Sequence, residues 1–383
     1  MKFFHISDLH IGLKLFNRDL SRDQEYVFRQ IAALAEQEKP EAVVIAGDIY
    51  DKAVPSSEAV ELFDRFVSGL TEAVPKAEIM MISGNHDSAP RINMFRSVLQ
   101  HQHIHMIGLP PEHPEESIEK VTLEDAFGPV NFYLLPFVKP SMVREITASG
   151  KEEGGLSYDE ALHRLIGREA IRKEERNVLV SHQFYLPAGM NPASVERMDS
   201  EIVSVGNIDA VRADLLQKFD YAALGHIHKP MCVGSEYYRY CGTPLACSVS
   251  ERGQQKGVVL VNLMKKGEIQ TKVLPLTPLH EIKILKGTLE EVLRQKTEDY
   301  VTIVLTDQVD QEAMDMQDRL HQAFPNLLEI RREGLRLADY TASCSEEKLK
   351  SPYELCSSFL GGLSDEEADV LRDAINSAQE GYL

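Results

Sequence analysis

Five short clusters combine carboxylate, imidazole and amide side chains: Asp8-Leu9-His10, Gly47-Asp48, Gly84-Asn85-His86-Asp87, Ser181-His182 and Gly225-His226-Ile227-His228. Asp and His at i and i+2 on extended chain point to the same side, so Asp8 and His10 can reach one ion. Carboxylate, imidazole and amide oxygen without thiolate suit Mn2+, Fe2+ or Zn2+ better than soft ions, and suit Mg2+ less because of the histidines. Asp48 is central in chain order, with ligand types on both sides, and is the natural bridge between two ions. Two ions about 3.5–4 Å apart would clamp the attacking and leaving oxygens of a phosphoester displacement and lower the pKa of a bound water, which implies hydrolysis. Any one cluster alone has the composition of a plain turn. Their recurrence is what carries the reading.

Each cluster follows an apolar run. Phe3 to Ile6 reads as a strand ending at Asp8, Ala42 to Ala46 as one ending at Asp48, and Ile79 to Ile82 as one ending at Asn85. Helical patterns over Ser21 to Glu38 and about Ser56 to Leu70 separate them. Strand-helix-strand alternation implies a parallel sheet, whose ligands collect at the carboxyl ends of its strands. Further strands are expected at Asn131 to Phe137, Asn177 to Val180 and Tyr221 to Leu224, the last two running into His182 and His226, with a helix at Tyr158 to Arg172. Tyr237 to Tyr240, Gly257 to Leu263 and Ile269 to Leu274 read as a meander forming a second sheet. The expected fold class is α/β, a sandwich of two mixed sheets with helices outside.

Pro275 and Pro278 mark a linker, beyond which a βαβαβ pattern from His280 to Ile330 predicts a small separate domain. From about Glu333 the chain turns polar and then offers two short amphipathic segments, Pro352 to Leu360 and a helix capped by Ser364 with Glu367 at the capping-box position. Residues 341–383 hold nine acidic and three basic residues; this hairpin fits docking on another protein or packing on its own domain.

The net charge of −19 argues against holding nucleic acid by the overall field, so a polyanionic substrate must be met locally, by bound cations or by a basic partner. Five cysteines without a CxxC pair point to reduced thiols and a cytoplasmic setting. The chain reaches His5, Ser7 and Asp8 at once, without a signal-peptide apolar region, and nowhere do about 18 apolar residues run together, so no membrane role is expected.

The motifs DxH, GD, GNHD, SH and GHxH, in this order across about 220 residues, resemble the calcineurin-like metallophosphoesterase superfamily. Ile6 to Gly12, Gly47 to Asp51 with Pro55-Ser56, Gly84 to Ser88, and Gly225 to Pro230 with Gly242-Thr243-Pro244 are most similar to its double-strand-break-repair nuclease branch. The resemblance implies a metallophosphoesterase fold with one metal on Asp8, His10, Asp48 and His228, and a second on Asp48, Asn85, His182 and His226, most readily Mn2+. It makes His86 the residue that binds the scissile phosphate and protonates the leaving 3′ oxygen, with Asp87 orienting it. Archaeal members carry a second active-site histidine where this chain has Asp51. Lys52, Ser56, Arg91 and Lys229 beside the motifs are candidate DNA-phosphate contacts, with solvated charges, or a helix cap for Ser56, as the plain alternatives.

The implied organisation is a nuclease domain over 1–275, a capping, DNA-recognition domain over 276–335 and a partner-binding helical segment over 336–383. The implied activity is ATP-dependent 3′–5′ exonuclease action on double-strand ends and endonuclease action on hairpins and single strands. The implied partners are DNA and a long coiled-coil ATPase, with the nuclease a homodimer inside a heterotetramer at the nucleoid. A small phosphodiester substrate and a non-catalytic DNA-end scaffold are the alternatives. His101, His103 and His105 read as surface polarity without a nearby carboxylate, and Tyr237 to Tyr240 fits a half-buried strand as well as base stacking.

Overall fold

The computed structural model describes residues 1–147, 156–187, 189–202, 209–307, 313–333, 352–361 and 363–381. They divide into two compact units, one of residues 1–201 with 209–279, the other of 202–208 with 280–383.

The elements of the first unit follow the apolar runs. In chain order they are β1 (Lys2–Ile6), α1 (Ser21–Glu38), β2 (Ala42–Ala46), α2 (Ser57–Ala73), β3 (Glu78–Ile82), β4 (Ile104–Ile107), β5 (Glu119–Asp125), β6 (Gly128–Leu135), α3 (Tyr158–Gly167), β7 (Arg176–His182), β8 (Tyr221–Gly225), β9 (Met231–Cys232), β10 (Tyr238–Tyr240), β11 (Gly257–Leu263) and β12 (Ile269–Pro275). One sheet has the order β12-β11-β1-β2-β3-β4, the other β9-β10-β8-β7-β6-β5. Within the first, β1 to β4 run parallel, with Phe4 opposite Val43 and Val44 opposite Met80. Strands β7 and β8 are also parallel, Gly225 lying opposite His182.

Strand parity places the core. Phe3, Val44, Ala46, Met80, Val178, Val180, Tyr221 and Ala223 share one buried cluster, contributed alternately by strands of both sheets. The intervening residues of β7 and β8, such as Leu179 and Leu224, join a second cluster with Leu162, Leu165 and Ile166 of α3. Helices α1 and α2 pack through stacked Phe28 and Phe66, ring centroids 4.4 Å apart. Helix α3 opens with a capping box between Ser157 and Glu160, and it ends at Gly167, earlier than the apolar pattern predicts. Beyond it Glu169 accepts the Ile118 N–H at 3.0 Å instead of continuing the helix.

The expected meander is corrected. Strands β11 and β12 extend the first sheet, β11 antiparallel to β1 with Phe3 opposite Val261 and β12 antiparallel to β11, while β10 lies parallel to β8 in the second. The reason is burial: Val259, Val261 and Leu263 face the inter-sheet core beside Phe3. The reading of His103 and His105 as lacking a carboxylate is also overturned, because Glu78 of β3 reaches both rings at 2.7 Å.

In the second unit, β13 (Ile282–Gly287), α4 (Leu289–Leu293), β14 (Tyr300–Leu305), α5 (Ala313–Ala323) and β15 (Leu327–Arg332) form a three-stranded parallel sheet with two helices around Leu285, Val301, Ile303, Leu320 and Phe324. Helices α6 (Pro352–Leu360) and α7 (Asp365–Gly381) complete it, and Ser364 and Glu367 make the reciprocal capping bonds. The polar stretch after Glu333 lies outside the described residues. No helix among the described residues is long and apolar enough to cross a membrane.

Candidate metal centre

The carboxyl ends of β1, β2, β3, β7 and β8 meet at one edge of the sandwich, and the sharp exits from those strands aim the polar groups. Asp8, His10, Asp48 and His226 all have positive φ (54°, 43°, 49° and 100°), a region that costs a residue with a Cβ about 1–2 kcal/mol. The strain is held by a parallel ladder between two loops: Asp8 N–H donates to Gly47 O, His10 N–H to Asp48 O and Ile11 N–H to Ile49 O at 2.9–3.1 Å. Two glycines allow the close approach. A Cβ on Gly47 would lie 2.2 Å from His182 Nδ1, and one on Gly84 2.1 Å from Asp48 Oδ1.

Two sets of donor atoms result. In one, His10 Nε2 lies 3.1 Å from His228 Nε2 and 3.7 Å from Asp48 Oδ2, and Asp8 Oδ1 stands 4.0 Å from His228 Nε2. In the other, Asn85 Oδ1 is 3.1 Å from His182 Nε2 and 2.9 Å from His226 Nδ1, while His182 Nε2 is 3.2 Å from Asp48 Oδ2. Donors bound at about 2.0–2.2 Å to one ion sit roughly 3–3.5 Å from one another, so both sets fit a divalent cation with little rearrangement. Asp48 belongs to both.

Two ring tautomers agree with this. His182 Nδ1 is 2.7 Å from Ala46 O, so its N–H donates there and Nε2 keeps its lone pair for the site. His228 Nδ1 faces Ser200 Oγ at 2.8 Å and Glu251 Oε1 at 3.3 Å, leaving Nε2 for the site. Without cations the groups bias one another. Burial pushes the Asp8 carboxyl up to about 6, against the pull of His182 and His228. Burial holds His10 and His226 low, whereas Asp48 overcomes burial at His182 and lifts it to about 9. Such a cluster of buried acids and bases is what bound divalent charge neutralises.

Glu251 was not visible as a site residue in the sequence. It lies in a short 3-10 turn after Gly242-Thr243-Pro244, 1% exposed, and accepts from Ser200 Oγ, Thr243 Oγ1 and Lys256 Nζ at 2.7–2.8 Å as well as facing His228. Burial opposes its ionisation, but His228 and Lys256 outweigh this and hold its carboxyl well below the usual range. Glu201 accepts the His228 backbone N–H at 2.9 Å and pairs with Arg197. Arg197 Nη2 lies 3.1 Å from His226 Nε2, its guanidinium over the Phe184 ring. The only signal for Glu251 was the density of polar groups in Ser248-Val249-Ser250-Glu251. A thiol was also missed: Cys247, buried, has its Sγ within 4.8 Å of ring nitrogens of both His10 and His228.

His86 is half-buried and meets the His10 ring edge-on at 4.8 Å between centroids. Its Nδ1 lies 3.0 Å from Asp51 O, and its backbone N–H donates to Asp48 Oδ1 at 2.9 Å. The expectation that Asp87 orients this ring is corrected. The Asp87 carboxylate instead accepts the backbone N–H groups of Ile49, Tyr50 and Gly84 at 2.9–3.0 Å, tying the loop after β3 to the loop after β2. Asp51 takes the orienting place through its carbonyl, and its carboxylate stands 3.7 Å from His10 Nδ1.

The candidate phosphate contacts are less concentrated. Lys52, Arg91 and Lys229 are exposed, Lys229 pairing with Glu196. Ser56 is the N-cap of α2, accepting the Ala59 N–H at 3.3 Å. Cys232, Cys241, Cys247 and Cys356 are free thiols, and Cys344 lies outside the described residues.

Residues 1–230 match the model of the calcineurin-like phosphoesterase family, and residues 276–361 match that of the type 5 capsule protein repressor C-terminal domain. The chain is 26% identical over 359 residues to the SbcD component of the SbcCD nuclease of Staphylococcus saprophyticus, covering 91% of this chain and 89% of that protein. It is 28% identical over 338 residues to the protein of the same name from Staphylococcus epidermidis, covering 86% and 85%. With its five strand-end clusters gathered at one edge of a two-sheet sandwich and its first 230 residues matched to the family model, the chain belongs to the calcineurin-like phosphoesterase family.

Proposed function

We propose that this chain is the nuclease component of an SbcCD-type complex, cutting DNA phosphodiesters. What supports this is the convergence of Asp8, His10, Asp48, Asn85, His182, His226 and His228 into two donor sets sharing Asp48, with His86 at their rim. The relatives named for that component, alignable over most of both chains, point the same way. Two divalent ions, Mn2+ in this reading, would be held by these residues and would supply Lewis acidity toward the phosphate and the attacking water. His86, its Nδ1 fixed by Asp51 O, keeps Nε2 for the phosphate oxygen and for proton transfer to the departing 3′ oxygen. Asp87 keeps the His86 loop in register with the Asp48 loop.

In this reading residues 1–275 are the nuclease domain, 276–335 the capping domain that meets DNA, and 336–383 the segment that docks on an SbcC-type coiled-coil ATPase. Phe359, 90% exposed on α6, and Val370, 69% exposed on α7, offer that ATPase an apolar contact. Lys52, Arg91 and Lys229 touch DNA phosphates, and the ATPase supplies the rest of the grip that a chain of charge −19 lacks. The complex acts as an ATP-dependent 3′–5′ exonuclease on double-strand ends and an endonuclease on hairpins and single strands, two copies of this chain forming a heterotetramer with two ATPases in the nucleoid.

The test is cleavage of hairpin and linear duplex DNA by the purified chain with Mn2+, with and without the ATPase and ATP, beside a small phosphodiester. Cleavage of DNA that rises with the ATPase and ATP is expected; turnover of only the small ester would overturn the nuclease reading. His86→Gln is expected to abolish cleavage while DNA binding and Mn2+ content persist. Survival of cleavage would remove His86 from the chemistry.

A further inference from the structure

The thiol of Cys247 changes what the first donor set can hold. Its Sγ and ring nitrogens of His10 and His228 lie within 4.8 Å of one another, all three residues are buried, and the two imidazole Nε2 atoms are already 3.1 Å apart. A separation of that size between nitrogens is the edge of a tetrahedron around zinc, with bonds of about 2.0–2.1 Å to nitrogen and 2.3 Å to sulfur. The same two imidazoles therefore stand between two kinds of third ligand. The carboxylates of Asp8 and Asp48 suit a hard ion, and the sulfur of Cys247 suits a thiophilic one.

We propose that His10, His228 and Cys247 form a capture site for a thiophilic divalent cation, Zn2+ or Cd2+, which competes with the hard ion for the two imidazoles and blocks hydrolysis. This rests on the reading of His10 and His228 as ligands of the first ion. On capture the Sγ–H bond breaks, its proton leaves to solvent, and an Sγ–metal bond forms, with no change of oxidation state. A hard ion such as Mn2+ gains little from sulfur and leaves the thiol protonated. Metal selection at this centre is then decided by a residue outside the shared carboxylate-imidazole set, and zinc inhibits by relocating ligands.

The experiment is Co2+ titration of the metal-free full chain and of Cys247→Ala, with Co2+ alone as the probe, followed by absorption. The wild-type chain is expected to show visible d–d bands together with a near-ultraviolet thiolate-to-cobalt charge-transfer band. The variant is expected to keep the d–d bands, which report an intact fold and centre, and to lose the charge-transfer band. Zn2+ inhibition of each protein, measured relative to its own Mn2+-supported cleavage, should weaken roughly tenfold or more in the variant, the scale on which loss of a supporting metal-site group acts. Visible bands without the charge-transfer band in the wild type would overturn the thiol site and leave the metal centre standing. Persistence of that band in Cys247→Ala would assign it to another cysteine and also overturn the proposal. Absence of d–d bands in the wild type would overturn the metal centre itself.

Discussion

Glu251→Gln should separate support of the fold from support of the metal centre. The carboxylate lies 2.7 Å from Lys256 Nζ and 3.3 Å from His228 Nδ1, and both it and the lysine are buried. Removing its charge leaves the Lys256 ammonium with neutral acceptors only: Thr243 Oγ1 at 2.6 Å, Gln254 Oε1 at 2.9 Å and His228 O at 3.3 Å. Breaking one side of a buried ion pair costs about 3–5 kcal/mol, and three surviving hydrogen bonds put this case near 3 kcal/mol. The His228 ring keeps a neutral acceptor at best, so Mn2+ affinity should fall about 10- to 100-fold, or roughly 1.4–2.7 kcal/mol.

The double variant Glu251→Gln with Lys256→Met removes the stranded charge. Urea unfolding should then recover most of the lost stability, while Mn2+ titration, followed by the paramagnetic resonance signal of the free ion, should stay weak. A single variant that unfolds like wild type and binds Mn2+ like wild type would refute the network. A double variant that regains both properties would show that Glu251 serves only to neutralise Lys256.

Three further outcomes follow from the geometry. In Gly84→Ala the new methyl meets Asp48 Oδ1 at 2.1 Å, so the loop must move; a loss of about 1–3 kcal/mol in thermal unfolding and a larger loss of Mn2+ binding are expected, and wild-type metal binding would refute the packing. Burial holds the His5 imidazole down to about 3 from an ordinary value near 6.5, while its nitrogens meet Tyr221 Oη and Leu224 O. Between those values the unfolded chain binds a proton that the folded chain refuses, so stability falls as pH drops from 6.5 toward 3, by at most roughly 5 kcal/mol; His5→Phe should flatten that slope in unfolding measured from pH 7 to 4. Finally, Phe359→Asp should leave unfolding unchanged, because the ring is 90% exposed, and should abolish co-purification with the ATPase; a retained complex would place the docking surface elsewhere.

The parts of the centre legible in the sequence are those delivered by strand parity. Val178, Val180 and His182 lie on one face of β7, so a three-residue apolar run is enough to announce that the histidine emerges above the inter-sheet core. Asp8 after β1 and His226 after β8 are announced by the strand that precedes them, but positive-φ exits rather than parity aim them. Glu251 and Cys247 have no such announcement, because they arrive on an irregular stretch, and Glu251 is placed by nearby Thr243 and Lys256 and by Ser200, 51 residues away in the chain. The sheet membership of β11 and β12 was hidden for a related reason: a glycine-bounded hairpin looks alike at the edge of either sheet, and only burial of Val259 and Val261 beside Phe3 decides.

Asp87 shows the opposite failure, an adjacency in sequence mistaken for an adjacency in function. Beside His86 in the chain, it reads as that ring's partner, yet its two oxygens are taken by three backbone N–H groups from two loops. A carboxylate so placed does for the loops what a metal does for side chains, fixing their spacing from a shared point. The His86 ring is oriented by Asp51 O at the far end of the Asp48 loop. His86 and Asp48 are therefore carried on two loops that Asp87 locks together, and a change there should misalign both at once.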